Sequence, residues 1–169
     1  MIAAPELLTA DHDLSRFDCG KPVLNDWLRT YALVNQAKGF TRVMVLRSHQ
    51  EVIGYYGLAP TAVPPPHLPR KIRTGRPPDP IPCLLIGQLA IDLRCRGLGY
   101  GSALLRHALE RCVLASDVIG GRAVMVRAID SDAEAYWRSC GFEPSQQDRS
   151  VLYRALADIR AWLETASKA

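Results

Sequence analysis

CLLIGQLAIDLRCRGLGYGSALLRHALE, Cys83–Glu110, sets the fold. Its first part, through Asp92, is a near-continuous apolar run of strand length, as expected for a strand buried on both faces. Its last part places Leu105, Ala108, Leu109, Cys112 and Val113 at i, i+3, i+4, i+7 and i+8, the stripe of an amphipathic helix. Arg106, His107, Glu110 and Arg111 fall off that stripe. Between strand and helix lie Arg94 and Arg96, then Gly97, Gly99 and Gly101. Glycine lets a ligand approach the main chain closely. The first N–H groups of a helix lack intrahelical partners and sit at the positive end of its dipole. A helix starting near Gly99 therefore offers an anion seat. Arg94 and Arg96 are placed to add charge-assisted bonds to it. The residues alone leave open a second reading, a tight turn with no ligand. Two nucleotide motifs do not fit: no Lys-Ser/Thr follows the glycines, and GxGxxG spacing is absent.

Working outward, a helix is expected after FDCGKP. Leu24, Trp27, Leu28, Tyr31 and Ala32 form one apolar stripe, Pro22 suits the first turn and Gly39 the stop. TRVMVL and EVIGYYGLA read as strands joined by an RSHQ turn. Residues 60–82 hold nine prolines in 23 positions, too many for a helix interior or central strand. Inside that segment Arg70, Lys71, Arg73 and Arg76 cluster without an acid, either a solvated loop or a phosphate-contacting arm. GGRAVMVRAI reads as a strand. SDAEAYWRSCGF reads as a short helix, with Ser131 and Glu134 at capping-box spacing and Gly141 as its stop. SVLYRAL suits a last strand, and Leu156, Ile159 and Leu163 give the C-terminal segment a weakly amphipathic helix. The order β, β, β, α, β, α, β makes a mixed sheet of the α+β class.

The bulk numbers agree with one domain, residues 1–169. Net charge is +4, which permits phosphorylated partners without requiring them. Five cysteines with wide spacing and no CxxC pair argue against a disulfide framework or zinc ribbon and fit free thiols in a reducing cytosol. No secretion signal or membrane-span run is read in the sequence.

RCRGLG matches R-x-x-G-x-G, and with its flanking strand and helix it resembles the pyrophosphate-binding turn of the GNAT acetyltransferases. DCGKPVLNDWL, PIPCLLIGQLAID, AYWRSCGF and PSQQD extend the resemblance along nearly the whole chain. They are similar to the acetyltransferase toxins of bacterial toxin–antitoxin pairs, the TacT/AtaT type. That resemblance implies a GNAT fold whose central mixed sheet, flanked by helices, splays two parallel strands around acetyl-CoA. It implies pyrophosphate contacts from Arg94, Arg96, Gly97, Leu98, Gly99, Gly101 and Ser102. The backbone of Leu89, Ala90 and Ile91 would run along the pantetheine arm, and an N–H near Leu89 or Ala90 would face the oxyanion. Tyr136 would serve the departing thiolate, where the residues alone suggest an aromatic packed beside Trp137. No metal is implied.

The resemblance further implies that the acceptor is the α-amino group of a charged tRNA, whose blocking arrests translation. A lysine acceptor, with a pKa near 10.4, usually needs a base, whereas an α-amino group titrates at about 7.7–8.0. The CLLIGQLAID strand carries no glutamate or histidine; Glu51 and His12 are the remaining candidate bases. Arg70, Lys71, Arg73, Arg76, Arg149 and Arg154 are candidate tRNA contacts as a group. Expected partners are a small ribbon-helix-helix antitoxin and, through it alone, operator DNA for autorepression. A cytoplasmic homodimer without membrane contact is expected. The family often has arginine where this chain has Gln88, which bears on tRNA affinity or amino-acid choice. An ordinary GNAT enzyme acting on a small amine or protein is the alternative, and a CoA-binding module without catalysis a third.

Overall fold

The computed structural model describes residues 2–168, and its strands form one mixed seven-stranded sheet in the order β1-β2-β3-β4-β5-β7-β6. The strands are β1 Glu6–Leu7, β2 Arg42–Ser48, β3 Glu51–Val63, β4 Ile81–Ile91, β5 Ala123–Arg127, β6 Glu143–Pro144 and β7 Val151–Ala155. Helices are α1 Pro22–Asp26 and α2 Leu33–Ala37, joined by a π-helical stretch Trp27–Ala32, then α3 Tyr100–Ile119, α4 Ser131–Ser139 and α5 Leu156–Lys168. The chain divides into two compact units: residues up to Ala59 with Gly87–Ala108, and Pro60–Ile86 with Leu109 onward.

In the first unit β2 pairs antiparallel with β1 and β3. Its core gathers Leu8, Phe17, Leu28, Ala32, Val43, Val45, Tyr55 and Ala90. Two buried amides pin the first helical segment. Asn25 accepts from the Cys19 N–H and donates to Asp18 Oδ1, both at 2.9 Å. Gln36 donates to Leu8 O and accepts from the Val43 N–H, both at 2.8 Å. Each is satisfied, as a buried polar group must be. The expected stripe holds at Leu28 and Ala32 but fails at Tyr31, which is 54% exposed. A π turn takes more residues than an α turn, so it rotates later positions off the 3.6-residue phase.

The second unit carries the parallel β4–β5 pair and antiparallel β5–β7 and β6–β7. Its core includes Val63, Leu68, Ile72, Ile81, Cys83, Ala123, Met125 and Tyr153. Leu68 and Ile72 come from the proline-rich segment, so that segment is anchored rather than merely solvated. Burying each such side chain contributes roughly 1.5–3 kcal/mol. The strands also enter the segment from both ends, contrary to the expectation that its prolines exclude them. The β2 ladder ends at Arg42↔Leu58, so Pro60 lies beyond it and its missing N–H costs no β2 bond. Pro82 likewise precedes the first β5 pair, Leu84↔Val124.

Three local features differ from the sequence expectation. The hairpin turn is only His49–Gln50, with His49 at φ 56°, rather than all of RSHQ. The α4 cap is Asp130, which accepts the Ala133 N–H at 2.8 Å, one residue before the expected Ser131. Gly141 does stop that helix, at φ 87°. The two-residue strands β1 and β6 are too short to leave any periodicity in the sequence.

Candidate active site

Strand β4 ends at Ile91, and the Asp92 N–H donates to Ile53 O at 2.8 Å. Asp92 is 1% exposed and organises the glycine turn. Its carboxylate accepts from the Arg94 N–H and Nε at 2.9 Å, from Arg94 Nη2 at 2.9 Å, and from the Asp18 N–H at 3.1 Å. Burial alone would raise its pKa. The Arg94 guanidinium and these N–H donors outweigh burial and hold it at about 2. Glu51 Oε1 forms a second ion pair with Arg94 at 2.7 Å. Arg96 Nη2 donates to Cys19 O at 3.0 Å. The arginines expected to face phosphate are thus engaged inside the first unit, Arg94 by two carboxylates and Arg96 by a carbonyl. Their local work is to fold the turn.

That turn leaves bare backbone. Gly97 and Gly99 have φ of 77° and 84°, and nothing lies within 4 Å of where a Cβ would stand on either. The first α-helical bond of α3 runs from the Ala103 N–H to Gly99 O at 3.1 Å. The N–H groups of Tyr100, Gly101 and Ser102 precede it and have no intrahelical acceptor. Gly101 itself lies inside the first turn of α3. Open glycine backbone with helix-start donors fits a diphosphate, and the fit rests on N–H groups more than on the arginines.

Strand β4 offers a second stretch of backbone. Its ladder with β5 ends at Ile86↔Val126, so Gly87–Ile91 continue without a β5 partner. Leu89, Ala90 and Ile91 lie in this stretch, with Ala90 packed in the first core. Gln88 lies beside Gly57, whose Cβ position is 2.7 Å from Gln88 Oε1, 3.4 Å from Thr41 Oγ1 and 3.4 Å from Trp27 Cη2. Trp27 is stacked on Tyr55, with ring centroids 5.9 Å apart and planes at 6°. Sequence reasoning singled out Gln88 but missed the Gly57 notch, which only strand register brings to it.

The two candidate bases are otherwise engaged. Thr9 N–H donates to His12 Nδ1 at 3.0 Å, so Nε2 carries the proton and donates to Glu6 Oε1 at 2.7 Å. Glu51 is held by Arg94 and, at 3.8 Å, by Arg16.

Tyr136 belongs to the second unit, on α4. It is 37% exposed, with its ring edge-to-face against Trp137 at 5.4 Å. Burial, followed by the neighbouring Cys140, raises its pKa, so the phenol keeps its proton at neutral pH. The expected packing beside Trp137 is present, and the side chain stays partly open. Among the basic candidates, Arg70, Arg73 and Arg76 are exposed and make no ion pair with any described residue. Lys71 pairs with Asp158, and Arg149 with Glu134 at 3.0 Å. Arg154 is half-buried, donates to Cys140 O at 3.1 Å and packs over Trp162. It lies beside Gly141.

The profile of the acetyltransferase (GNAT) family matches residues 4–142, which spans the turn, the β4 edge and Tyr136. The chain belongs to the GNAT family. A tRNA-acetylating toxin of Mycobacterium tuberculosis (strain ATCC 25618 / H37Rv) is 38% identical over 159 residues, 94% of this chain and 95% of that protein. The structure of AtaT complexed with acetyl-methionyl-tRNAfMet is similar at 30% identity and TM-score 0.87, covering 96% of this chain and 99% of AtaT. A tyrosine-to-phenylalanine mutant of AtaT, bound to the C-terminus of the antitoxin AtaR and acetyl-CoA, is similar at 30% identity and TM-score 0.81, covering 96% and 97%. The protein is therefore an acyltransferase of the α+β GNAT fold, and acetyl-CoA is its acyl donor. No helix among the described residues is long and apolar enough to cross a membrane.

Proposed function

We propose that this GNAT enzyme is a toxin that transfers acetyl from acetyl-CoA to the α-amino group of an aminoacyl-tRNA. The observation that carries the reading is AtaT's acetyl-methionyl-tRNAfMet, held by a fold that matches 96% of this chain. In this reading the glycine backbone and the N–H groups of Tyr100, Gly101 and Ser102 hold the pyrophosphate. The main chain of Leu89–Ile91 lines the pantetheine arm, and the N–H of Leu89 or Ala90 stabilises the oxyanion. The amine nitrogen attacks the thioester carbon, the carbon–sulfur bond breaks, Tyr136 gives its phenolic proton to the thiolate, and the proton lost by the acetylated nitrogen restores the phenol through solvent. With His12 and Glu51 engaged and β4 free of acids and histidines, an acceptor that is already partly neutral near pH 7.7–8.0 suits the site. Residues 1–169 are read as a single acetyltransferase domain. Further parts of the reading are a cytoplasmic homodimer, neutralised by a small ribbon-helix-helix antitoxin that alone contacts operator DNA.

The test is incubation with labelled acetyl-CoA and bulk charged tRNA, then identification of the adduct. Label is expected on the α-amino group of an aminoacyl-tRNA. Label only on protein or a free amine would establish the ordinary GNAT alternative.

A further inference from the structure

In the second unit, a cavity of about 330 Å³ opens at the root of the basic loop, lined among others by Lys71, Ser116, Arg122, Asp158 and Arg160. The loop is built onto it. Ile72 is buried at 3% exposure, while its neighbours Arg70, Lys71 and Arg73 face solvent. Arg122 Nε donates to Ile72 O at 2.9 Å, and its Nη2 to Thr74 O at 3.2 Å and Thr74 Oγ1 at 3.5 Å. Arg160 Nη2 donates to Ser116 Oγ at 3.1 Å and Asp117 Oδ1 at 2.9 Å.

The charges do not cancel. Asp158 offsets Lys71 and Asp117 offsets Arg160. Arg122 bonds to the neutral oxygens of Ile72 and Thr74, so its charge stands uncompensated at the cavity. Arg70 and Arg73, outside the cavity, add two more. A guanidinium fixed by carbonyls keeps its remaining N–H groups ordered for an oxyanion. The Lys71–Asp158 pair is solvent-exposed, and such pairs contribute little, so an incoming anion displaces it at little cost.

We propose that this cavity seats a backbone phosphate of the tRNA, between Arg122 and Arg160, and so anchors the basic loop on the RNA. The inference rests on the tRNA-acetylating function above. Phosphodiester is the favoured occupant because its charge is singly negative and its oxygens accept forked N–H donors.

The experiment measures KM for bulk charged tRNA against salt concentration in the full chain, with acetyl-CoA saturating. Arg160→Gln is expected to raise that KM about fivefold and to reduce the log–log salt slope by about one, leaving kcat and the KM for acetyl-CoA unchanged. Asp158→Asn releases Lys71 and is expected to lower the KM two- to threefold, roughly, with a steeper slope. Damage to the fold does not tighten binding, so the opposite signs separate the proposal from misfolding. Unchanged KM and slope in both variants, with wild-type acetylation of tRNA intact, overturn the phosphate seat alone. So does a loss in Arg160→Gln confined to binding of an acidic peptide. A wild-type protein inert toward charged tRNA overturns both the seat and the function beneath it.

Discussion

Arg94 at the glycine turn and Arg122 at the basic loop are the same residue type set to different tasks. Arg94 faces Asp92 and Glu51, two carboxylates at 2.9 and 2.7 Å. Arg122 bonds to neutral oxygens of Ile72 and Thr74. At the turn, the charge of Arg94 is neutralised internally and shapes the backbone, and the N–H groups are left to meet the anion beside Arg96, which bonds only to a carbonyl. At the loop, the backbone positions the charge and leaves it uncancelled. Recognition at the turn should therefore depend more on geometry and less on salt. Recognition at the loop should be Coulombic and strongly salt-dependent.

The largest effect belongs to neither region and calibrates both. Tyr136→Phe removes the proton donor but keeps the ring against Trp137. We expect kcat to fall about 10²–10³-fold with both KM values and the salt slope unchanged. Unaltered turnover at saturating substrates would remove the tyrosine from the chemistry.

Next is the turn's own charge. Asp92 is depressed to a pKa of about 2, against an ordinary carboxylate value of 3.8. A depressed pKa means stability that is present above about pH 4 and lost as pH falls toward 2. The shift corresponds to about 2 kcal/mol. Asp92→Asn should abolish most of that acid dependence and lower stability at neutral pH by a similar amount, read by denaturant unfolding across pH 2–7. An unchanged acid profile would mean that Arg94 shapes nothing.

Third is the loop. Replacing Arg70, Lys71 and Arg73 together by glutamine should raise the KM for charged tRNA about tenfold and flatten its salt slope by two to three, roughly. The KM for acetyl-CoA should not move. If it moves and the tRNA slope does not, the contrast between the two regions is inverted.

These contrasts were unevenly legible in the sequence. The strand–turn–helix was plain because a continuous apolar run and a 3.6-residue stripe meet at glycines, and Tyr136 was flagged by its motif. The basic loop was visible as a cluster, but not its anchoring, because Ile72 and Arg122 are 50 residues apart and meet only in the fold. Motif reading marked Arg94 and Arg96 for phosphate but did not show their partners within the fold. Arg94 follows Asp92 by two residues, yet its second carboxylate, Glu51, comes from β3. Tyr31 was misplaced for a local reason, the π turn, which hydrophobic periodicity does not signal.

The smallest effect probes a feature with no charge. Gly57 lacks the positive φ that would require glycine, so the residue is chosen by space. A methyl there would come within 2.7 Å of Gln88 Oε1. Trp27 is stacked on Tyr55 and has little freedom to yield, whereas the amide is the end of a flexible side chain and swings away. Gly57→Ala should then change stability by less than about 1 kcal/mol. Its consequence should instead be that of losing the Gln88 amide. If that amide helps to choose the amino acid, Gly57→Ala and Gln88→Ala should shift relative kcat/KM among aminoacyl-tRNAs two- to fivefold, roughly, in the same direction. The double variant should add little, because contacting residues that share one effect are not additive. The salt slope should stay constant, since no charge changes. Additive shifts, or shifts of opposite sign, would show that Gly57 does not act through Gln88, and identical selectivity in all three would show that the notch does not face the acceptor.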